Sequence, residues 1–257
     1  MGLLRCILAI TVVAAHSGPI FGYRFVGGVV AVQSFYIISG FYMSLILNEK
    51  YTGKGAYKLF ITNRLLRLYP IYWAVAGLTV ILSLVTAIDS GGGDFGCFEI
   101  YRIHSKEMKL STIIFLIFSN IFIYFQDIIM FLRVDWSTGL LEFTKYYGDT
   151  KQPLYQFLIV PQAWTLGVEL MFYAIAPFIV RKNKKFIFTL IFFSIVLRSV
   201  LMFGFGLKDD PWNYRFFPTE IVFFLFGNIS YRIYNYLKNN TGYKFVAGGG
   251  GGLKKFI

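Results

Sequence analysis

Residues 27–47, GGVVAVQSFYIISGFYMSLIL, form an apolar stretch that contains no charged side chain. About 18 such residues suffice for a helix to cross the roughly 30 Å hydrocarbon core of a bilayer. Comparable runs recur along the 257-residue chain, which is 56% hydrophobic and only 15% charged. A soluble domain cannot bury so much apolar surface. The sequence therefore predicts an all-α, polytopic transmembrane helix bundle.

The apolar runs predict about seven membrane segments. They are residues 3–20, 26–47, 70–88, 113–132, 163–180, 186–205 and 216–237. This division places a transmembrane domain at residues 1–237 and a glycine-rich cytoplasmic tail at residues 238–257.

Basic loops predict the orientation of these segments. Residues 181–185, RKNKK, are cationic, and so is the loop after the second segment, with Lys50, Lys54, Lys58, Arg64 and Arg67. Cytoplasmic loops carry an excess of Lys and Arg, so both loops and the N-terminus are predicted to be cytoplasmic. Residues 113–132 then cannot cross singly, and residues 90–162 are predicted to lie mostly outside. The same pattern explains the net charge of +12, so no nucleic acid is expected as a partner.

The first segment carries two polar groups, Arg5 and His16, in an otherwise apolar run. Eleven helical positions are almost three turns, so the two side chains lie about 20° apart around the helix and ~16 Å apart along it. Buried polar groups in a membrane are costly, and this pair therefore suggests a shared polar path. The alternative is that residues 1–17 form a cleavable signal peptide.

Three further polar residues are candidates for a site. Arg64 and Arg67 are three positions apart, so they share a helix face, and guanidinium groups suit phosphates. The alternative is ordinary anchoring at the membrane surface. Glu169 lies within an apolar run and needs a cationic or hydrogen-bonding partner, for which Arg5, His16 and Arg198 are the available candidates. For Arg198 and Glu220, the sequence supports a structural ion pair and a functional role equally.

Several of these residues belong to ordered motifs. The motifs are Arg5 and His16 with ten residues between them, GVVAVQSFYIISGF at 28–41, Arg64-x-x-Arg67, AWTLGVELMFYAIAP at 163–177, and RFFPTEIVFFLFGN at 215–228. Together they resemble the acyltransferase-3 family of integral-membrane acyltransferases. The resemblance disfavours the signal peptide, because cleavage would remove the family's essential histidine.

The resemblance implies transfer of an acyl group, usually acetyl from acetyl-CoA, to hydroxyls of surface or lipid-linked glycans at a bacterial inner membrane. It implies that Arg64 and Arg67 hold the phosphates of CoA and that His16 acts as general base or transient acyl carrier. Arg5 would line the thioester path or stabilise negative charge, and Glu169 would orient or balance one of the cations. Membrane lipids and a glycan acceptor are the implied partners.

A transporter or flippase is the alternative function, with Arg5, His16, Glu169 and Arg198 as a proton or anion path. No metal cofactor is expected, because the chain has only two histidines and two cysteines.

The glycine run at residues 248–252 suits neither a membrane helix nor a packed loop. One interpretation is a flexible tail. The resemblance implies a fold of roughly ten membrane helices, whereas about seven segments are predicted here. The other interpretation is therefore a frameshifted, truncated product of a phase-variable gene, in which the glycine codons form a guanine tract. Mixed glycine codons in the gene would contradict the second interpretation.

Overall fold

The fold is a bundle of helices, given by a computed structural model that describes residues 2–18, 22–23 and 25–240. The helices are α1 (Gly2–Ser17), α2 (Gly28–Glu49), α3 (Ala56–Asp89), α4 (Glu99–His104), α5 (Leu110–Phe122), α6 (Trp164–Ile179), α7 (Lys184–Ser199) and α8 (Phe217–Asn240). Two strands, β1 (Leu132–Asp135) and β2 (Leu140–Phe143), form an antiparallel hairpin. The predicted all-α membrane architecture is confirmed, and among the described residues the hairpin is the departure from it.

Each of the seven predicted segments overlaps a helix. Four helices in the described part of the chain are long and apolar enough to cross a membrane: Gly28–Glu49, Ala56–Asp89, Pro161–Ile179 and Lys184–Gly204. The helices α1 and α5 are apolar but shorter, with 16 and 13 residues. Helix α8 has 24 residues, about 36 Å at 1.5 Å per residue, and becomes more polar towards its end.

The two basic loops lie at the same end of the bundle, as their charge predicts. Arg181, between α6 and α7, donates hydrogen bonds to the carbonyl oxygens of Leu47, in the last turn of α2, and of Tyr51, between α2 and α3. Arg232 on α8 donates to the carbonyl oxygens of Val180 and Lys182. We call this the basic end. The opposite, large-loop end holds residues 90–163 and 205–216.

Helix α3 corrects one predicted boundary. It begins at Ala56 and runs for 34 residues through Pro70, which the sequence analysis took as the start of a segment. Proline is tolerated inside membrane helices because neighbouring groups satisfy the freed carbonyl. Arg64 and Arg67 therefore lie within the long helix, and α3 fixes their direction relative to the bundle.

Helix α5 corrects a second boundary, because it ends at Phe122 and not at residue 132. Its 13 residues span about 20 Å, less than a bilayer core of roughly 30 Å, which agrees with an element that does not cross singly. The last four carbonyls of a helix have no partner within it. Here side chains donate hydrogen bonds to the carbonyl oxygens of residues 119–122. Gln126 donates to residue 119, Tyr72 to residue 120, Trp73 to residue 121 and Tyr69 to residue 122.

Helices α2 and α8 run parallel and approach most closely at Gly40 and Gly227. A Cβ atom on Gly40 would overlap the carbonyl oxygen of Phe224 and lie 2.8 Å from its Cα, and one on Gly227 would overlap the carbonyl oxygen of Ile37. Small residues let membrane helices pack backbone to backbone. Gly40 therefore forms a packing notch in α2 against α8.

Gly40→Ala should lower the free energy of unfolding by about 1–3 kcal/mol, because the added methyl group forces α2 and α8 apart. SDS titration of the purified protein in mixed micelles measures this change. Gly77→Ala on α3 is the matched control, since a Cβ there has nothing within 4 Å. Equal stability of the two variants would contradict the close packing.

The large-loop end has its own hydrophobic core. It contains Met108, Leu116, Ile129, Val134, Leu154, Phe157 and Leu158. Trp212 donates a hydrogen bond from its indole nitrogen to the carbonyl oxygen of Lys145 at 2.8 Å, which joins this core to the segment before α8. Helix α8 runs to Asn240, past the predicted domain boundary at 237. The glycine run at 248–252 lies outside the described residues, so the predictions about the tail remain predictions.

Candidate active site

A cavity of about 1380 Å³ lies among α1, α2, α3 and α6 and reaches the large-loop end. All five residues proposed from the sequence line it: Arg5 and His16 on α1, Arg64 and Arg67 on α3, and Glu169 on α6. They come from three helices that are distant in sequence. The structure therefore brings the five residues to one cavity.

Helix α2 gives the order of these residues along the cavity. A Cβ on Gly28, at the start of α2, would lie 3.5 Å from the Cβ of Ala15, so the neighbouring His16 is at the large-loop end. The guanidinium carbon of Arg5 lies 4.9 Å from the ring centre of Tyr42, about 20 Å further along α2 by helical rise. His16 is exposed, and no hydrogen bond of its side chain occurs among the described residues.

Glu169 lies between these levels and is held by two hydroxyl groups. Ser39 on α2 donates to Oε1, and Tyr173, one turn further along α6, donates to Oε2 at 3.0 Å. Glu169 was expected to need a cationic or hydrogen-bonding partner, and the structure provides the second kind: hydroxyl donors satisfy the carboxylate, and no ion pair to Glu169 occurs among the described residues. Two such donors offset part of the cost of placing a carboxylate in an apolar helix.

Arg198, one of the cations proposed as a partner, forms an ion pair elsewhere. Its Nη1 lies 2.7 Å from Oε1 of Glu220, and its Nη2 donates to the carbonyl oxygen of Asn213 at 2.5 Å. Gln33 also donates to Glu220, at 3.2 Å. Neither Arg198 nor Glu220 lines the cavity. The structural explanation given by the sequence analysis is thus the one that the geometry supports.

The basic end of the cavity favours negative charge. Arg64 is half-buried with its guanidinium carbon 5.8 Å from the ring centre of Phe60, and Arg67 is exposed. Burial raises the pKa of the Tyr51 hydroxyl, but hydrogen bonds from Asn63 and Arg64 and the charge of Arg64 lower it below its ordinary value. The same field that stabilises a phenolate here would stabilise a bound phosphate.

The two residues that donate hydrogen bonds to Glu169 were not predicted from the sequence. Tyr173 carried a usable signal, because residues four apart on a helix share a face. Ser39 and Gly40 are adjacent small residues with different roles: the glycine packs on α8 and the serine contacts Glu169. Only the packing of α2 against α6 shows this second role.

The sequence matches a family model, described as an acyltransferase domain, over residues 1–253. The chain belongs to the acyltransferase-3 family. No curated protein and no solved structure matches it. The protein is therefore a membrane acyltransferase whose five motif residues line one cavity.

Two consequences follow for this acyltransferase. The alternative proton or anion path comprised Arg5, His16, Glu169 and Arg198, and Arg198 instead pairs with Glu220 away from the cavity. Within the described ranges, no group of three or more His, Cys, Asp or Glu side chains is positioned to hold a metal ion.

Proposed function

We propose that this acyltransferase moves an acetyl group from cytoplasmic acetyl-CoA to a hydroxyl of a surface or lipid-linked glycan at a bacterial inner membrane. The observation that carries the proposal is a single cavity with two different ends. Arg64 and Arg67 line its basic end, and His16 lines it towards the large-loop end. Assigning the basic end to the cytoplasm follows the positive-inside rule and places the N-terminus there as well.

The donor is proposed to bind at the basic end. Guanidinium groups remain charged and offer forked donors, which match phosphate oxygens. CoA phosphates at Arg64 and Arg67 leave the pantetheine arm to extend along the cavity towards His16. Arg5 lines the same path, where its charge can stabilise negative charge that develops on the thioester oxygen.

His16 has two possible roles in the transfer, and both balance. As a general base, the imidazole takes the acceptor hydroxyl proton, the hydroxyl oxygen attacks the thioester carbonyl, the C–S bond breaks, and the proton passes to the CoA sulfur. As an acyl carrier, an imidazole nitrogen attacks the carbonyl, the C–S bond breaks and CoA leaves as its thiolate; the acceptor hydroxyl oxygen then attacks the acetyl-imidazole, the C–N bond breaks, and the hydroxyl proton passes to the CoA thiolate. Glu169 balances the charge of the cations that line the cavity.

The test is release of CoA thiol from acetyl-CoA by the purified protein in lipid nanodiscs, with and without a glycan acceptor. We expect release that depends on the acceptor, together with an acetylated glycan by mass spectrometry. Labelled acetyl-CoA without acceptor separates the two roles of His16, because only the carrier route leaves label on the protein that a glycan later removes. No acceptor-dependent release with any surface glycan would contradict the proposal.

Arg64→Ala or Arg67→Ala should weaken acetyl-CoA binding roughly 10- to 100-fold, the size expected for one lost charge-assisted hydrogen bond. Lysine at either position should restore only part of the affinity, since the forked geometry is lost. Isothermal titration with acetyl-CoA in nanodiscs measures the change.

Lys58→Ala is the control for charge, because Lys58 is exposed on the same helix and does not line the cavity. Unchanged donor affinity in both arginine variants would refute the assignment. So would topology mapping that places residues 50–55 outside the cell.

A further inference from the structure

The large-loop end of the cavity is built around one carboxylate, that of Asp210. Arg215 donates to both of its oxygens, from Nε at 2.5 Å and from Nη2 at 2.8 Å. Tyr214 donates to Oδ2 at 3.1 Å, and Tyr147 donates to the same oxygen at 3.3 Å. We call these four residues the Asp210 clamp. It joins the 90–163 region to the segment before α8 and so fixes this wall of the cavity.

Among the described residues that line this end of the cavity, the one Lys or Arg is Arg215, and it belongs to the clamp. Arg215 lines the cavity, but its bidentate pairing with Asp210 neutralises it. Burial, followed by the charge of Asp210, raises the pKa of Tyr147 to about 12, so its hydroxyl remains a neutral donor. Arg5, Arg64 and Arg67, the other arginines that line the cavity, lie further towards the basic end.

Aromatic rings and free polar groups line the same region. Tyr147, Tyr155, Trp164 and Tyr214 contribute rings. Arg215 stacks on Trp164, with its guanidinium carbon 4.1 Å from the ring centre, which holds the indole in place.

The Tyr155 hydroxyl and the Gln162 side-chain amide both line the cavity, and the described residues offer neither of them a hydrogen-bond partner. Tyr155 is half-buried and Gln162 is exposed, so a ligand can reach both. A site of this kind combines apolar surface with a few convergent hydrogen-bonding groups.

We propose that the large-loop end of the cavity is a saccharide subsite that takes an uncharged pyranose, with Tyr155 and Gln162 as its specificity-determining residues. A pyranose ring presents C–H groups on its faces, which suit aromatic rings, and hydroxyls around its edge, which suit the phenol and the amide. The neutralised clamp offers no cation to a uronic acid, so burial of its carboxylate would be uncompensated. The proposal rests on the proposed function, because the bound sugar is the acetyl acceptor next to His16.

Saturation-transfer NMR in nanodiscs, without acetyl-CoA, tests the subsite directly. The probes are a neutral hexose trisaccharide and the same trisaccharide with one uronic acid. Tyr155→Ala and Gln162→Ala should each weaken binding of the neutral probe roughly 2- to 10-fold, as expected for one lost hydrogen bond. Gln156→Ala is the matched control, because Gln156 is exposed, pairs with Gln152 on the surface and does not line the cavity.

The expected result is that the neutral probe binds more tightly than the acidic one and that only the two cavity variants weaken it. Tighter binding of the acidic probe would overturn the proposal, and so would equal binding by Gln156→Ala, Gln162→Ala and Tyr155→Ala. Failure of the proposed function gives a different result from failure of the subsite. The neutral probe would then bind with the expected dependence on Tyr155 and Gln162, but no acetyl group would be transferred to it when acetyl-CoA is added.

Discussion

His16→Ala should lower the rate of acetyl transfer roughly 10²- to 10⁴-fold, the usual contribution of a positioned acid–base group. The loss follows in either role of the imidazole, since both the general-base route and the acyl-carrier route pass through its ring nitrogen. The fold should be unaffected, because His16 is exposed and its side chain has no hydrogen bond among the described residues. Acceptor-dependent release of CoA thiol measures the rate.

Two controls separate chemistry from packing in this experiment. Cys6→Ala lies on the same helix, is exposed and does not line the cavity, so it should retain full activity. Added imidazole should restore part of the activity of His16→Ala, because a small base can occupy the vacated position, whereas a packing defect would not respond. Normal transfer by His16→Ala would remove the histidine from the mechanism.

The sequence was sufficient to predict the membrane bundle and the residues that share the cavity. Arg5 and His16 follow from helical spacing in one apolar segment, Arg64 and Arg67 from a shared helix face and the fit of guanidinium groups to phosphates, and Glu169 from the cost of a carboxylate inside a membrane. Such arguments use only local periodicity, side-chain chemistry and solvation. They therefore do not require any knowledge of which helices are neighbours.

Contacts between helices could not be predicted in the same way. Ser39 and Glu169 are 130 positions apart, so their hydrogen bond depends on the packing of α2 against α6. The end of α5 likewise depends on Tyr69, Tyr72 and Trp73, which satisfy carbonyls 48 to 53 positions away. A single sequence records no pairing between such distant residues, and hydropathy extends the segment past its true end.

The Asp210 clamp shows the same limit at the large-loop end. The acidic pair in the sequence DDPW at residues 209–212 carries no signal for a partner, because loop charge predicts a side of the membrane and not a contact. Tyr147, which completes the clamp, is 63 positions from Asp210.

Arg198→Ala should lower the free energy of unfolding by about 3–5 kcal/mol, because it leaves a buried carboxylate without its cation. Glu220 is 0% exposed, and the Arg198 side chain is 24% exposed. Gln33 would remain as a neutral donor, which compensates a charge only partly. SDS titration in mixed micelles measures the change, and acetyl transfer per folded molecule should stay near the wild-type value, since neither residue lines the cavity.

The surface pair of Arg133 and Glu142 provides the matched comparison. These side chains are 40% and 43% exposed, so Arg133→Ala should cost only about 0–1 kcal/mol although its ion pair is also short, at 2.5 Å. Replacing Arg198 and Glu220 together by leucine should recover most of the loss, because no uncompensated charge is then buried. A double variant as unstable as Arg198→Ala would show that the pair contributes specific hydrogen bonds to Asn213 and Gln33 beyond charge compensation. If Arg198→Ala were stable but lost acetyl transfer, Arg198 would instead have a functional role in the reaction.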